Sequence, residues 1–441
     1  MTSPGPCRTT SLLTDRYELT MLQAGLRSGA AHRRSVFEVF ARRLPQGRRY
    51  GVVGGTGRFL EGLADFRFDE ADLAWLEAEE VVDAATLTWL AGFRFGGSVW
   101  GYAEGECFFP GSPILVVEGT FAEAVLLETL ALSVLNHDSA ITAAASRMTS
   151  AADGRPCLEM GSRRTHEEAG VAAARAAVVA GFAGTSNLEA GRRYGVATIG
   201  TAAHSFTLLH DDERAAFVAQ VDSLGSGTTL LVDTYDVAAG VTTAVEVAGQ
   251  GLGAVRLDSG DLLAHARDVR AQLDALGART TRITVTSDLD EFAIAALAAG
   301  PVDSYGVGTS LVTGSGAPTA GLVYKLVARE DAAGTLLGVA KASQDKTSVG
   351  GRKWALRRRN AAGTAVAEVV GIGRPPVDDG DDRPLLVPLV AQGVIDPAHT
   401  GAPGVRAAVV RHASSRAELP SQALQLQRGE PCIPTSYEEF S

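Results

Sequence analysis

Short apolar segments that end in polar clusters repeat along the middle of the chain, and a helical stretch usually follows each one. Seven of these segments are candidate strands: residues 157–161, 181–185, 196–200, 230–234, 254–258, 283–287 and 305–308. The stretches between them predict helices over residues 166–180, 205–221, 237–249, 260–276 and 290–299. Strands that alternate with helices indicate βα units and a parallel sheet. This number of units favours a barrel, or a near-complete barrel, over an open sheet.

The two ends of the chain lack this alternation. In the first 110 residues, a helix is predicted over residues 12–26, with Thr14 or Asp15 as its N-cap. Further predicted elements are a helix over residues 69–79, short strands over 93–109, a buried strand over 112–118 and one or two helices over 120–148. Because neither end has an obvious full core of its own, we expect the two ends to pack together into a second domain. The predicted domains are residues 1–130 and 326–441 for this second domain and 131–325 for the barrel.

The composition is that of a globular protein with a large core. Hydrophobic residues make up 46% of the 441 residues and charged residues 21%, which excludes wholesale disorder. The formal net charge is −11, and nucleic-acid binding is disfavoured because phosphate backbones attract basic faces. A local basic pocket for a small polyanion is compatible with this charge.

The cysteines and the lack of long apolar stretches favour a soluble cytoplasmic protein. Cys7, Cys107, Cys157 and Cys432 show no C-x-x-C spacing, so a zinc site or a disulfide framework finds no support. Scattered thiols fit a reducing compartment. The N-terminus lacks the apolar segment of a secretory signal, and no uncharged apolar stretch reaches about 18 residues, so we expect no membrane partner.

Lysine is rare and clustered in this chain. Of 40 basic residues only four are lysines, Lys325, Lys341, Lys346 and Lys353. One interpretation is a compositional bias toward arginine together with chance clustering. The other is that lysine occurs where a compact ammonium contacts phosphate.

Polar clusters follow the predicted strands, always at the carboxyl end. They cover residues 159–164, 200–205, 233–236, 256–261, 287–290 and 306–310. In a βα barrel this end of the strands carries the active site. The sequence therefore predicts that arginines, carboxylates, a histidine and glycine-rich turns converge on one rim.

Three features of this rim suggest a binding or catalytic role, and the first two also have a purely structural explanation. Backbone N–H groups of the turn over residues 306–310 could hold a phosphate, or the turn could simply be tight. Arg256 and Asp258 could hold ribose hydroxyls or a magnesium-bound diphosphate, or form a salt bridge at the rim. His204 lies where a strand meets a helix, and Asp233 on the next strand could orient it as a base or a nucleophile. The other seven histidines are interpreted as structural.

Eight segments in order resemble the nicotinate phosphoribosyltransferase family. They are LLTDRYELTMLQAGL (12–26), EMGSRRTHEEA (159–169), GFAGTSN (181–187), GTAAHSF (200–206), DTYD (233–236), RLDSGDL (256–262), GVGTSLV (306–312) and KASQDKTSVGGRK (341–353). The resemblance implies an α/β fold: an incomplete (β/α) barrel of the type II phosphoribosyltransferase kind, with a second α+β domain built from both chain ends, in a dimer. It also implies a reaction of nicotinate with 5-phosphoribosyl 1-diphosphate that yields nicotinate mononucleotide and diphosphate. It further implies that ATP hydrolysis is coupled to this reaction through a phosphohistidine, which the resemblance places at His204.

The resemblance also implies roles for residues around nicotinate. Tyr17, supplied by the partner subunit, would stack on the pyridine ring. Arg163 and Arg256 would flank the ring or hold its carboxylate, and Thr201 would donate to that carboxylate. Ser186 occupies the position where nicotinamide-using relatives carry an aspartate. An aspartate would accept from an amide and repel a carboxylate, so Ser186 favours the acid.

The phosphoribosyl side is assigned by the same resemblance. Asp258 and Asp288 would bind ribose hydroxyls or Mg²⁺, although the direct metal ligands are left open. Gly308 and Thr309 would hold the 5-phosphate. Lys341 and Lys346 would face the diphosphate or the phosphates of ATP.

Other functions remain as alternatives. A nicotinamide-using relative is opposed by Ser186, and a quinolinate-using relative by His204 and by the length of the chain. A non-catalytic nucleotide-binding paralogue would have to keep every candidate residue without using it. An unrelated βα-barrel enzyme would have to match the ordered motifs by coincidence.

Overall fold

The computed structural model describes residues 9–341 and 349–439. The chain divides into two compact units, one made of Met1–Ala140 and Thr319–Ser441 and the other of Ile141–Pro318. We call them the first and the second unit. The described helices are α1 (Arg16–Ser28), α2 (Thr56–Ala64), α3 (Glu70–Ala78), α4 (Ala84–Ala91), α5 (Phe121–Val125), α6 (Glu128–Ala151), α7 (Glu167–Val179), α8 (Leu188–Tyr194), α9 (His204–Leu209), α10 (Glu213–Leu224), α11 (Val237–Ala248), α12 (Leu262–Ala275), α13 (Glu291–Leu297), α14 (Thr309–Val312) and α15 (Gly401–Ala417).

Strands occur in both units. They are β1 (Arg34–Ala41), β2 (Gly51–Val52), β3 (Ser98–Tyr102), β4 (Cys107–Phe108), β5 (Leu115–Thr120), β6 (Cys157–Glu159), β7 (Gly184–Thr185), β8 (Thr229–Leu231), β9 (Ala254–Leu257), β10 (Arg282–Val285), β11 (Ser304–Val307), β12 (Leu322–Glu330), β13 (Leu336–Gly338), β14 (Lys353–Arg359), β15 (Ala365–Ile372), β16 (Arg383–Pro384), β17 (Leu386–Ala391), β18 (Val394–Ile395) and β19 (Thr435–Glu439).

Strands from both ends of the chain share one sheet in the first unit. Its order is β13-β12-β1-β5-β3-β17-β18, so β1 lies between β12 and β5 and pairs antiparallel with both. Val39 of β1 is fully buried and faces Tyr324 on one side and Leu115 on the other. A four-stranded sheet of β16, β14, β15 and β19 completes the unit together with the short pair β2–β4. The two segments therefore build this sheet jointly, because β1 and β3 of one segment pair with β12 and β17 of the other.

Buried cations connect the same two segments. The guanidinium of Arg357, with no exposed surface, donates to Glu368 and to the Cys107 carbonyl at 2.7 Å each. The Lys353 ammonium lies 2.8 Å from a carboxylate oxygen of Glu38, and both side chains are buried. Lys353 is thus held by a carboxylate inside the first unit. Removing one partner of such a pair typically costs about 3–5 kcal/mol of stability, because the other charge is left buried and unpaired.

The second unit contains a curled sheet of six parallel strands in the order β7-β6-β11-β10-β9-β8. Strand β6 pairs with β7 on one side and with β11, the last strand of the unit, on the other. The chain therefore runs round a ring and returns to its first strand, and the ring stays open between β7 and β8. This arrangement is a parallel half-barrel, which confirms the prediction of βα units in an incomplete barrel.

Two details of the predicted second unit are wrong. Residues 196–200 form no strand, and only Thr198 makes an isolated bridge to Thr185. The segment is mostly exposed, unlike β9, which is buried throughout, and no further strand of the described residues pairs with its outer side. The helix predicted over 205–221 is two helices, because Asp212 accepts a hydrogen bond from the Ala215 N–H and starts α10 afresh.

The first predicted helix has Asp15 at its N-cap position, as one of the two predicted candidates, but lacks the capping hydrogen bond. Helix α1 starts at Arg16, and the preceding Asp15 makes no capping hydrogen bond with its side chain. The hydroxyl of Thr14 donates to the carboxylate of Glu18 instead. By contrast, Asp69 and Asp72 form a reciprocal capping box at the start of α3. Among the helices of residues 9–341 and 349–439, none combines the length and the apolar character needed to cross a membrane.

A buried histidine in the first unit predicts acid sensitivity. Burial lowers the pKa of His412 to about 4, from an ordinary value of 6.5, and its Nδ1 lies 3.3 Å from the Gly105 carbonyl. In the unfolded chain the imidazole of His412 binds a proton below pH 6.5, whereas in the folded protein it binds one only below about pH 4. Protonation therefore favours the unfolded state, and the free energy of unfolding falls as the pH falls through this window. We expect a loss of about 2–3 kcal/mol between these limits. Urea denaturation of the wild type and of His412→Gln at several pH values measures it.

In His412→Gln the free energy of unfolding should fall less steeply as the pH is lowered, whatever the stability of the variant at pH 8. His32 is exposed, and His32→Gln is the matched control that should keep the slope of the wild type. Equal slopes for all three proteins would contradict the assignment.

Candidate active site

Polar residues of the second unit line a cavity at the carboxyl ends of β6, β9, β10 and β11. The cavity has a volume of about 180 Å³. Its lining combines cations, carboxylates, hydroxyls and glycines: Met160, Arg163, Arg164, Arg256, Asp258, Thr286, Ser287, Asp288, Gly306, Gly308 and Thr309. These residues are far apart in the sequence and meet because parallel strands end at the same edge of the sheet. We call this space the rim cavity.

A second cavity of about 290 Å³ shares a wall with the first. Its lining carries less charge: Met160, Ser162, Arg163, Ser186, Ile199, Gly200, Thr201, Ala202, Ala203 and Arg256. We call it the side cavity. Met160, Arg163 and Arg256 line both cavities, so the two arginines are accessible from either space.

His204 opens α9 and faces two carboxylates. Its Nε2 lies 3.8 Å from Asp233 Oδ1 and 3.8 Å from Asp258 Oδ2, while its Nδ1 lies 3.1 Å from the Thr234 hydroxyl. The imidazole is 39% exposed, whereas Asp233 is buried. The two carboxylates favour the tautomer with the proton on Nε2, which leaves the lone pair on Nδ1. The structure thus brings together the predicted pair of His204 and Asp233.

Asp233 organises the backbone of the next strand. Its Oδ2 accepts hydrogen bonds from the Asp258 N–H and from the Ser259 hydroxyl, both at 2.8 Å. Within the described residues its buried Oδ1 accepts no hydrogen bond. A buried acceptor without a partner is uncommon, and this one is directed toward His204.

Arg256 connects β9 with the loop before α9. Its Nη1 donates to the Thr201 hydroxyl at 2.7 Å and to the Ala202 carbonyl at 3.0 Å. The nearest carboxylate, that of Asp258, is 3.8 Å from Nη2, and Nε has no hydrogen-bond partner in the described part of the chain. Burial lowers the pKa of Arg256, but a guanidinium remains a cation at neutral pH. Arg256 therefore offers positive charge that the described protein groups satisfy only in part.

The glycine turn, formed by Gly306 within β11 and Gly308 directly after it, allows strands to approach closely. A Cβ at Gly306 would lie 2.5 Å from Thr286 Cγ2 and 2.8 Å from Met160 Sδ. A Cβ at Gly308 would lie 3.3 Å from the Met160 carbonyl. Thr286 in turn donates its hydroxyl to the carboxylate of Asp258. Any side chain at Gly306 would consequently push apart the walls of the rim cavity.

The site includes residues that the sequence analysis did not single out. Arg164 and Thr286 line the rim cavity, and Thr234 contacts His204. Arg163 and Arg164 form no ion pair and no side-chain hydrogen bond with the described residues. Arg164 could have been found because it stands in the same polar cluster as Arg163, whereas nothing in the spacing marks Thr286.

The remaining predicted residues fall into two groups. Ser186 and Thr201 line the side cavity, and Asp288, Gly308 and Thr309 line the rim cavity. Tyr17 and Lys341 belong to the first unit and line neither cavity. Tyr17 is 45% exposed on α1, and burial together with the carboxylate of Glu128 raises its pKa. Lys346 lies outside the described residues.

The curled parallel half-barrel and its charged rim indicate the class of protein to which the chain belongs. Cations and carboxylates surround adjoining cavities at the strand ends, and His204, which lines neither cavity, lies 3.8 Å from Asp258 in the wall of the rim cavity. Such a site is typical of an α/β half-barrel enzyme that acts on an anionic substrate. Comparison with known proteins makes this class more specific.

A family model for the nicotinate phosphoribosyltransferase N-terminal domain matches residues 12–136. The chain is 60% identical over 433 residues to the nicotinate phosphoribosyltransferase pncB1 of Mycobacterium tuberculosis (strain ATCC 25618 / H37Rv), covering 96% of this chain and 94% of that protein. Its identity with the human nicotinate phosphoribosyltransferase is 30% over 448 residues, covering 86% and 83%. The crystal structure of human nicotinic acid phosphoribosyltransferase aligns with a TM-score of 0.81 at 25% identity, over 96% of this chain and 97% of that one. The chain belongs to the nicotinate phosphoribosyltransferase family.

Crowding at the glycine turn predicts a stability difference between two glycines. We expect Gly306→Ala to lower the free energy of unfolding by about 1–3 kcal/mol, because the new methyl group collides with Thr286 and Met160. Gly200→Ala, in the side cavity, should change it by less than about 0.5 kcal/mol, because a Cβ there meets no atom within 4 Å. Chemical denaturation measures both values. Equal free energies of unfolding for the two variants would show that the rim cavity accommodates the new methyl group without strain.

Proposed function

We propose that this chain joins nicotinate to 5-phosphoribosyl 1-diphosphate, releases diphosphate, and couples the reaction to ATP hydrolysis through phosphorylated His204. The observation that carries the proposal is the common wall of the two cavities. Arg163 and Arg256 line both of them, one cavity has a lightly charged lining suited to a flat ring, and the other is suited to phosphates and ribose. The pyridine nitrogen and the ribose anomeric carbon can therefore meet at this wall.

The side cavity offers what a flat anion needs. Arg256 and Thr201 already share a hydrogen bond of 2.7 Å, so a carboxylate can accept from both at once. Ser186 adds a small neutral hydroxyl that does not repel the carboxylate. We assign the stacking partner of the pyridine ring to Tyr17 of a second copy of the chain, in a homodimer with shared sites. Support for this role comes from the exposure of Tyr17 and from the family motif around it.

The rim cavity offers what the phosphoribosyl group needs. The backbone around Gly308 and Thr309 suits the 5-phosphate, and the carboxylates of Asp258 and Asp288 suit ribose hydroxyls. These two carboxylates are also the hard oxygen donors that Mg²⁺ prefers, so they would hold the ion. When bound, Mg²⁺ neutralises charge on the leaving diphosphate. The arginines at the wall stabilise the same negative charge as the bond to the anomeric carbon breaks. Lys341 and Lys346 are assigned to the diphosphate or to the phosphates of ATP.

His204 has the geometry of a phosphoryl acceptor. With the proton on Nε2, held by Asp233 and Asp258, the Nδ1 lone pair attacks the γ-phosphorus of ATP, and the bond to the β-phosphate oxygen breaks to release ADP. Water later takes the phosphoryl group from Nδ1 and returns the histidine. Between these events the phosphohistidine adds about two negative charges near the rim. Asp258 contacts both His204 and Arg256. The added charge on His204 therefore acts, through Asp258, on the arginine in the common wall of the two cavities.

Replacement of His204 tests the coupling. We expect His204→Asn to lose the acid-labile, base-stable phosphoprotein formed from γ-labelled ATP, and to lose ATP stimulation of nicotinate mononucleotide formation. Product analysis with nicotinate, phosphoribosyl diphosphate, Mg²⁺ and labelled ATP measures both. His210→Asn is the control, because His210 follows the same helix and contacts the Phe206 carbonyl instead of the site. ATP hydrolysis that stays coupled to product formation in His204→Asn would refute this assignment.

Ser186 tests the choice between acid and amide. We expect Ser186→Asp to lower kcat/KM for nicotinate at least about tenfold, because a second carboxylate faces that of the substrate. Ser186→Ala should stay within about threefold of the wild type. Competition between nicotinate and nicotinamide measures the preference. A wild type that prefers the amide would support the nicotinamide-using alternative instead.

A further inference from the structure

A buried carboxyl group lies beneath the arginines of the site. Glu159 is the last residue of β6 and has no exposed surface. One of its carboxyl oxygens accepts from the Gly161 N–H and the other from the Thr185 hydroxyl. Residues 161–164, which we call the double-arginine turn, follow directly and carry Arg163 and Arg164.

The hydrogen bonds of Glu159 continue into a closed network. The Thr185 hydroxyl accepts from the Asn187 N–H at 2.9 Å, and the Asn187 side-chain amide donates to the Ser162 hydroxyl at 3.0 Å. The Glu159 carbonyl also accepts from the Ser186 N–H at 2.8 Å. The network therefore runs from β6 through β7 and back to the double-arginine turn, and it includes the backbone of Ser186.

The turn has little freedom to move away from this network. A Cβ at Gly161 would lie 2.3 Å from Val312 Cγ1, so the backbone is tightly packed there. The Arg164 N–H donates to the Gly161 carbonyl at 2.8 Å within a short 3₁₀ helix, Ser162–Arg164. The backbone of both arginines is thus fixed, although their side chains have no described partner of their own.

Glu159 is a poor source of stability. Its donors, an N–H and a hydroxyl, are neutral, and no described cation forms an ion pair with it. A buried carboxyl without a cation pays for its loss of hydration, and burial raises the pKa of Glu159. A neutral side chain of the same size would fill the space at lower cost. The contribution of Glu159 therefore lies in the geometry that its two hydrogen bonds impose.

We propose that Glu159 is a positioning residue for anionic substrates, which fixes the double-arginine turn through Gly161 and Thr185 and so places Arg163 and Arg164 at the two cavities. The inference rests on the proposed function for the identity of the anions. It adds a residue that never touches them. Because Arg163 lines both cavities, its placement influences nicotinate and diphosphate together.

Variants at both ends of one hydrogen bond test the proposal. Glu159→Gln keeps the size of the side chain, but its amide nitrogen cannot accept from one of the two donors. Thr185→Val removes the hydroxyl at nearly constant volume, and Thr185→Ser retains it. We expect Glu159→Gln and Thr185→Val each to raise the KM for nicotinate and the Kd for inorganic diphosphate about tenfold, with kcat changed less than threefold. Thr185→Ser should bind like the wild type, and the double variant should resemble either single one because both act on the same bond.

A second buried carboxyl supplies the matched control. Glu291 lies in the same unit, is buried, and pairs with Arg147 at 3.0 Å, apart from the double-arginine turn. Glu291→Gln should lower the free energy of unfolding and leave KM and Kd within threefold of the wild type. Unchanged binding in Glu159→Gln would overturn the proposal. The proposal would also be overturned if Glu159→Gln lost kcat and binding in the same proportion to its loss of stability as Glu291→Gln does.

Calorimetry with diphosphate separates this inference from the proposed function. If the wild type fails to turn over nicotinate but binds diphosphate, the proposed function falls, and the diphosphate constants of the variants still decide the role of Glu159. A wild type that binds neither ligand would overturn both proposals.

Discussion

The pairing of β6 with β11 is the interaction on which the site depends. It joins the first and the last strand of the second unit, with Tyr305 opposite Cys157 and Val307 opposite Glu159. Beyond the strands, the Met160 N–H donates to the Val307 carbonyl at 2.8 Å and continues the contact into the loops. Only this closure brings the double-arginine turn beside the glycine turn, since some 140 residues of chain separate them. Without it, the two arginines and the glycine turn would lie at opposite edges of an open sheet.

The open side of the half-barrel has its own consequence. Between β7 and β8 the chain makes one isolated bridge and then the loop that leads to α9. That loop supplies Gly200, Thr201 and Ala202 to the side cavity, and Arg256 holds it from the neighbouring β9. A seventh strand in this place would occupy the space with paired backbone. The absence of a strand there therefore leaves room for the side cavity next to the rim cavity.

The sequence predicted the second unit well where burial is uniform. Strands such as β9 and β10 are apolar runs covered on both faces, and their carboxyl ends are marked by charged clusters, so strand order and rim followed from the pattern. Residues 196–200 have a similar pattern without that burial, and the prediction of a strand there is wrong.

Contacts between distant residues could not be predicted from spacing. The bond between Arg256 and Thr201 spans 55 positions, and that between Lys353 and Glu38 spans 315. Both depend on how the chain folds back, which local periodicity does not encode. The roles of Tyr17, Lys341 and Lys346 came from resemblance alone and stay predictions.

A comparison of two buried cations, Lys353 and Arg256, shows why one of them is available to a ligand. Lys353 lies 2.8 Å from Glu38, and its ammonium also donates to the Val349 carbonyl at 2.8 Å, so protein groups satisfy its charge. Arg256 has its nearest carboxylate at 3.8 Å and keeps Nε without a described partner. An ammonium in such surroundings would lose its proton more readily, because burial without a close anion disfavours the charged form. A guanidinium stays charged and presents two parallel donors to a carboxylate. Arginine at this position therefore combines a buried wall with a permanent positive charge, which the proposed binding of two anionic substrates at this wall requires.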